Sequence, residues 1–180
     1  YAQITFFGVY LTYMLRFWAL NYLSASKTSF LFNLSPFMSS YYSYLFFKET
    51  MTKKQWAGLA IGFLGLIPVL ITTSKSEACL GEFAYISWPE LAIFLAVASH
   101  SYSWIVMRKL VREKSYSPMM INGISMTCGG VMGLITSYAV ETVPPIADPV
   151  TFWGLLGLII LTSNIICHNL YGFLLKRYTA

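Results

Sequence analysis

The sequence predicts an all-α integral membrane protein, a bundle of six transmembrane helices, and three observations predict it. First, 57% of the 180 residues are hydrophobic and 11% are charged, with a mean hydropathy of +0.61, whereas a soluble domain carries about a quarter charged residues. A soluble fold cannot hide that much apolar surface. Second, six stretches of about 20 residues are nearly free of charge, at 3–22, 28–47, 56–73, 88–107, 118–140 and 151–175. Their length fits helices and excludes the roughly ten-residue alternation of a barrel, and only those two architectures satisfy backbone amides in lipid. Third, nine of the twelve basic residues fall in the connections 48–54 and 108–117 and the tail 176–180, against two, Lys27 and Lys75, in the opposite loops. That asymmetry puts 48–54, 108–117 and 176–180 in the cytoplasm and makes the chain a multi-pass component of the cell (inner) membrane, with the lipid bilayer as its first partner. The net charge of +5 is then topological: the cations hug helix ends and build no nucleic-acid-binding face.

The first stretch carries Arg16, one turn after Thr12 and about 10 Å from the outer end at 1.5 Å per residue. Either it meets a carboxylate inside the membrane or it snorkels to the interface. The second contains "NLSPFMSSYYSYLFFKE", in which Asn33, Pro36, Ser40 and Tyr44 fall at i, i+3, i+7 and i+11, one helix face. Pro36 frees the carbonyl four residues back and bends the axis. A bent polar face in lipid must turn to protein or to water. It is therefore the wall of a substrate cavity, or a set of interhelical hydrogen bonds worth about 0.6–2 kcal/mol each; Ser39 and Ser43 taken singly fit the second reading. At its end Glu49, with Lys53 and Lys54, anchors the helix at the interface.

The third stretch, with Gly58 and Gly62, and the fifth, with Gly129 and Gly133, carry small-residue pairs that let helices approach closely. The fourth has Glu90 at its head and His100 at its centre, followed by Tyr102, Ser103 and Trp104. Ionisable groups at this depth are costly and point to function. Trp104 and Tyr102 suit a cationic or planar ligand, while a neutral His100 bonded to a neighbouring helix fits as well. In the sixth, Asn164 and His168 lie four apart and Tyr171 continues their face, a row able to read hydrogen-bonding edges.

Several classes fall away. Two histidines on different spans have no Cys or carboxylate at ligand spacing, so neither a metal nor another cofactor is expected. Cys79, Cys128 and Cys167 form no disulfide pattern. His-Glu-x-x-His, paired acids and Gly-x-Ser-x-Gly are all missing, so no enzyme is expected. A membrane scaffold would tolerate the glycines but has no use for Arg16, His100 or His168 in lipid. No Asp or Glu lies in the middle of a span, which leans toward exchange or facilitated movement, with a His-coupled proton route as the other option.

The chain opens without Met and stops directly after a span, so it reads as a fragment whose missing helices would complete the bundle; a homodimer is left open. An internal match supports this. "ALNYLSAS" (19–26) loosely resembles "FLLKRYTA" (173–180) when Leu20, Asn21, Ser24 and Ala25 are set opposite Leu175, Lys176, Thr179 and Ala180, an offset of 155 residues or five spans, and an odd number of spans inverts the second copy, the arrangement found in transporters.

The stretch from "ALNYLSAS" through "SPFMSSYYSYLFFKET" to "GLAIGFLGLIPVLI" resembles the EamA family of the drug/metabolite transporter superfamily. It has a small-residue turn at Ser24 to Ser26, Pro36 within the next span, Glu49 at its end, then Gly58, Gly62 and Gly65 at regular spacing. The resemblance implies a ten-helix inverted-repeat (5+5) transporter of which this chain is spans three to eight. Residues 1–73 would be the last three helices of the first repeat, 74–87 an extracytoplasmic linker, and 88–180 the first three helices of the second. It also implies an inner-gate role for Glu49, a small-molecule substrate and alternating access. "YSPMMINGISMTCGG" and "SNIICHNLYGFLLKRYTA" look similar to the S-adenosylmethionine transporters of obligate intracellular bacteria, implying uptake of S-adenosylmethionine in exchange for S-adenosylhomocysteine. Arg16 would then meet the methionine carboxylate. The wider family implies amino-acid or drug export instead.

Overall fold

The computed structural model describes residues 1–48, 52–71, 82–83, 86–113, 116–140 and 149–177. Among these the chain is helical apart from one short hairpin, in which β1 (Glu82–Phe83) pairs antiparallel with β2 (Ile86–Ser87). Membrane-type helices therefore dominate, as the composition requires.

Helix α1 starts as a π-helical stretch, Ile4–Leu11, and continues as an α-helix, Thr12–Leu20. The Thr12 hydroxyl donates to the Phe7 carbonyl, five residues back, at 2.7 Å, following the wider winding. Ser24 caps α2 (Ala25–Phe32) by accepting from the Lys27 amide at 3.2 Å. The small-residue turn is thus a helix start.

The second expected span is not one bent helix. α2 stops at Phe32, the Asn33 and Leu34 amides turn to carbonyls three residues back at 3.1 Å each, and α3 (Ser35–Phe47) begins anew. Pro36 sits in the first turn of α3, where its missing N–H costs nothing. The break therefore precedes the proline, and Asn33 lies in the turn, off the helical face it was expected to share. α3 ends at Lys48, whose φ of 52° is left-handed.

α4 (Lys53–Ile71) opens with a reciprocal cap: Gln55 accepts from the Thr52 amide at 2.8 Å while the Gln55 amide donates back to the Thr52 hydroxyl at 3.4 Å. Lys53 and Lys54 lie in its first turn, so the 48–54 connection is shorter than expected, and Glu49 lies outside the described residues. α5 (Trp88–Glu113) runs well past residue 107, so Arg108 is not in a loop. It is 1% exposed, donating to the Ser43 hydroxyl at 3.0 Å with its guanidinium 4.3 Å from the centre of the Phe47 ring. α6 spans Pro118–Val140. α7 runs through Pro149–Ile159, a second π-helical stretch Ile160–Cys167, and His168–Arg177; of the expected tail only 178–180 falls outside the described residues. The two π-helical stretches begin 156 residues apart, within one residue of the offset in the sequence match.

α5 is the hub, packed by α1, α2, α3 and the last part of α7, while α6 covers the π-helical part of α1. Gly8 makes one of these contacts possible: a Cβ there would lie 2.5 Å from the Ser103 hydroxyl. Two apolar clusters hold the ends. Ala19, Leu23, Leu31, Leu34, Ile93 and Val97 pack at one end, and Ile4, Met107, Val111 and Ile121 at the other. At the first end Lys27, expected in an open loop, is buried against Glu90, with Nζ and Oε1 2.7 Å apart, and Glu90 also accepts from the Ser87 amide at 2.8 Å. Three helices are each long and apolar enough to cross a bilayer, Trp88–Arg112, Pro118–Val140 and Pro149–Leu174, and Ile4–Leu20 is a shorter apolar helix.

Candidate functional site

Between the two apolar clusters α3, α5 and α7 leave a cleft of about 330 Å³. The first two turns of α3 supply Ser35, Pro36, Ser39 and Ser40, α5 supplies His100 and Trp104 one turn apart, and α7 supplies Tyr171. Because α3 starts afresh after the break, its serines present hydroxyls at the mouth of a helix instead of burying them in mid-span. The Ser101 hydroxyl donates to the Ser35 carbonyl at 3.3 Å and so ties this edge to α5.

The far wall is aromatic. The Trp104 indole N–H donates to His100 Nε2 at 2.9 Å, and the Tyr171 ring stands edge-on to Trp104 with centroids 4.4 Å apart. His168 lies 5.5 Å from Trp104 and 6.4 Å from His100, and its Nδ1 is 2.9 Å from the Ser163 carbonyl. The Ser103 hydroxyl donates to the His100 carbonyl at 2.7 Å. Arg16 reaches the site at one remove: its guanidinium lies 4.9 Å from the centre of the Phe32 ring, which packs 5.3 Å from His100. Behind the wall a void of about 30 Å³ touches His100, His168, Asn122 and Ser125. No Asp or Glu is among the described residues lining either space. The arrangement offers π faces for a cation or a flat ring, hydroxyls for polar edges and a guanidinium for an anion.

Of the residues singled out from the sequence, Pro36, Ser40, His100, Trp104 and Tyr171 line the cleft and His168 backs it. Tyr102 turns the other way, into Phe7, Tyr42 and Phe46. Tyr44 lines a separate apolar groove of about 530 Å³ between α3 and α4, with Trp56 and Phe63; Ser40 borders both spaces. Asn164 does not line the cleft. It lies in the π-helical stretch, where the wider turn brings residues five apart into register, so Ser163 and not Asn164 sits beneath His168. Ser35 and Phe32 are additions, and Ser39, read from the sequence as an interhelical hydrogen-bonding residue, lines the cleft. The facing of Ser39 depends on where α3 begins, which the sequence does not show, whereas Leu110 and Val111, three and four residues after Met107, could have signalled the longer α5.

Comparison with known proteins agrees with the helical architecture. Residues 1–71 match the model of the EamA-like transporter family. The S-adenosylmethionine/S-adenosylhomocysteine transporter of Chlamydia muridarum is 33% identical over 177 residues, 96% of this chain and 55% of that protein. Its namesake in Chlamydia trachomatis serovar L2 is also 33% identical, covering 96% and 54%. An uncharacterized transporter of Bacillus subtilis, YyaM, is 22% identical over 167 residues, 92% and 53%. The chain spans about half the length of the curated relatives it matches. No solved structure matches it.

Proposed function

We propose, from the match of residues 1–71 to the EamA-like transporter family, that the full-length protein carrying this sequence takes up S-adenosylmethionine in exchange for S-adenosylhomocysteine by alternating access. The observation that carries the reading is the meeting of Trp104, His100 and Tyr171 with the serine edge of α3, in a cleft of the size small-molecule sites have. The chlamydial relatives supply the substrate by their names. S-adenosylmethionine bears a sulfonium cation, a flat purine, ribose hydroxyls and an amino-acid carboxylate. In this reading the π faces of Trp104 and Tyr171 take the cation or purine, Ser35, Ser39 and Ser40 the hydroxyls, and Arg16 the carboxylate.

The same reading keeps the ten-helix inverted-repeat plan: 1–73 closing the first repeat, 74–87 a linker, 88–180 opening the second. It is supported by the paired π-helical stretches and by the faint sequence match. The helix ends around 48–54, 108–117 and 176–180 then lie on the cytoplasmic side of the cell membrane. The decisive experiment is accumulation of labelled S-adenosylmethionine by cells expressing the full-length protein, with and without internal S-adenosylhomocysteine. Preload-stimulated uptake is expected. Absence of uptake above empty vector, with the protein confirmed in the membrane, would overturn this substrate and direct attention to export.

A further inference from the structure

The bond between Trp104 and His100 fixes more than the shape of the cleft. An indole N–H only donates, so His100 Nε2, 2.9 Å away, must be an unprotonated acceptor, and the ring's single proton belongs on Nδ1. That atom is buried with the Gly8 backbone alongside it and no well-aligned partner. A doubly protonated imidazole would set two donors against each other at the Trp104 contact, and the indole would have to swing away. Trp104 cannot move quietly, because it is wedged against Tyr171 and His168 as the wall of the cleft.

We propose that His100 is a positioning residue that works only as a neutral acceptor: it aims the Trp104 indole into the cleft, and protonation of His100 and occupation of the cleft by a cationic substrate exclude one another. The surroundings make this strict. The groups that face His100 are Arg16 and Tyr13 from α1 and His168 and Tyr171 from α7. α3 offers only Ser35, Ser39 and Ser40, α6 only Asn122 and Ser125, and α2 only Phe32. No described neighbour is a carboxylate. A proton on His100 would thus meet Arg16 and His168 unopposed, and would repel a sulfonium directly. The sulfonium rests on the substrate reading above; the indole latch does not.

Two measurements on the full-length protein in liposomes test it separately. Because burial and the unopposed charges of Arg16 and His168 resist the proton, uptake of S-adenosylmethionine is expected to stay level from about pH 8 to pH 5 and to fall several-fold only below that, with a smaller fall for the thioether S-adenosylhomocysteine, which lacks the sulfonium. His100→Gln, whose carbonyl can accept the indole N–H but cannot titrate, should transport more slowly yet lose the acid-side fall. His100→Leu, with no acceptor, should lose several-fold more activity than the glutamine variant at every pH. Independently of substrate, an acid quench of tryptophan emission should be present in the wild type and absent from both His100→Gln and Trp104→Phe. Identical pH profiles and identical quenching in wild type and His100→Gln would overturn the latch. Normal quenching with no uptake of either compound would instead overturn the substrate assignment and leave the latch standing.

Discussion

Gly8 shows how one missing methyl group sets the architecture. A Cβ at this position would fall 2.5 Å from the Ser103 hydroxyl and 2.6 Å from its Cβ, so α1 lies against α5 only because the side chain is hydrogen. Gly129 does the same for α6, where an added Cβ would lie 2.6 Å from Val9. Gly58, by contrast, meets nothing within 4 Å among the described residues. Gly8→Ala is therefore expected to cost about 1–3 kcal/mol, the range of overpacking, read as a lower unfolding midpoint in detergent, while Gly58→Ala should leave the midpoint unchanged or slightly raised. Equal effects at the two positions would mean that helix propensity and not close packing decides. Both glycines stand in apolar runs, and the spacing that paired Gly58 with Gly62 carries no information about which neighbour is near.

At the scale of elements the joint between α2 and α5 is the clearest energetic commitment. Lys27 and Glu90 are 7% and 4% exposed, and their contact closes the end of the bundle above the Leu23, Leu31, Ile93 and Val97 cluster. Removing one partner of such a pair typically costs about 3–5 kcal/mol, because the remaining charge stays buried. Glu90→Gln should thus unfold markedly earlier, and the exchange Lys27→Glu with Glu90→Lys should recover part of the loss; no recovery would make Glu90 important for the Ser87 amide alone. The sequence put Glu90 at a helix head and Lys27 in a loop, and did not show their meeting, which depends on how α2 folds back over α5. The helical class and the places of Arg16 and His100 inside apolar helices were legible because a charge or an imidazole inside an apolar run is visible without any structure. Ser39 and Asn164 were not, since a one-residue change in where α3 starts, or one wider turn in α7, rotates a whole face. Asn33 was misplaced for the same reason: the chain breaks before the proline that was expected to bend it.

For the molecule as a whole, helices of unequal length share one hub. The apolar stretch Pro149–Leu174 has 26 residues and Trp88–Arg112 has 25, about 39 and 38 Å at 1.5 Å per residue. Ile4–Leu20, packed on the same α5, has 17, about 26 Å, and the hydrocarbon slab is about 30 Å thick. No single thickness suits them all. The long helices must lean while the lipid thins beside the short one, each ångström of mismatch costing a fraction of a kcal/mol. Any rocking of α3 and α7 about α5 changes that lean. On the exchange reading proposed above, reconstitution of the full-length protein in lipids of graded acyl-chain length should accordingly give a transport rate that peaks at one length and falls several-fold on either side; a flat response would mean the bundle rocks without tilting. Bilayer thickness would then act on the same conformational equilibrium that the substrate shifts, so two membranes of different lipid composition would set two different working speeds for one protein.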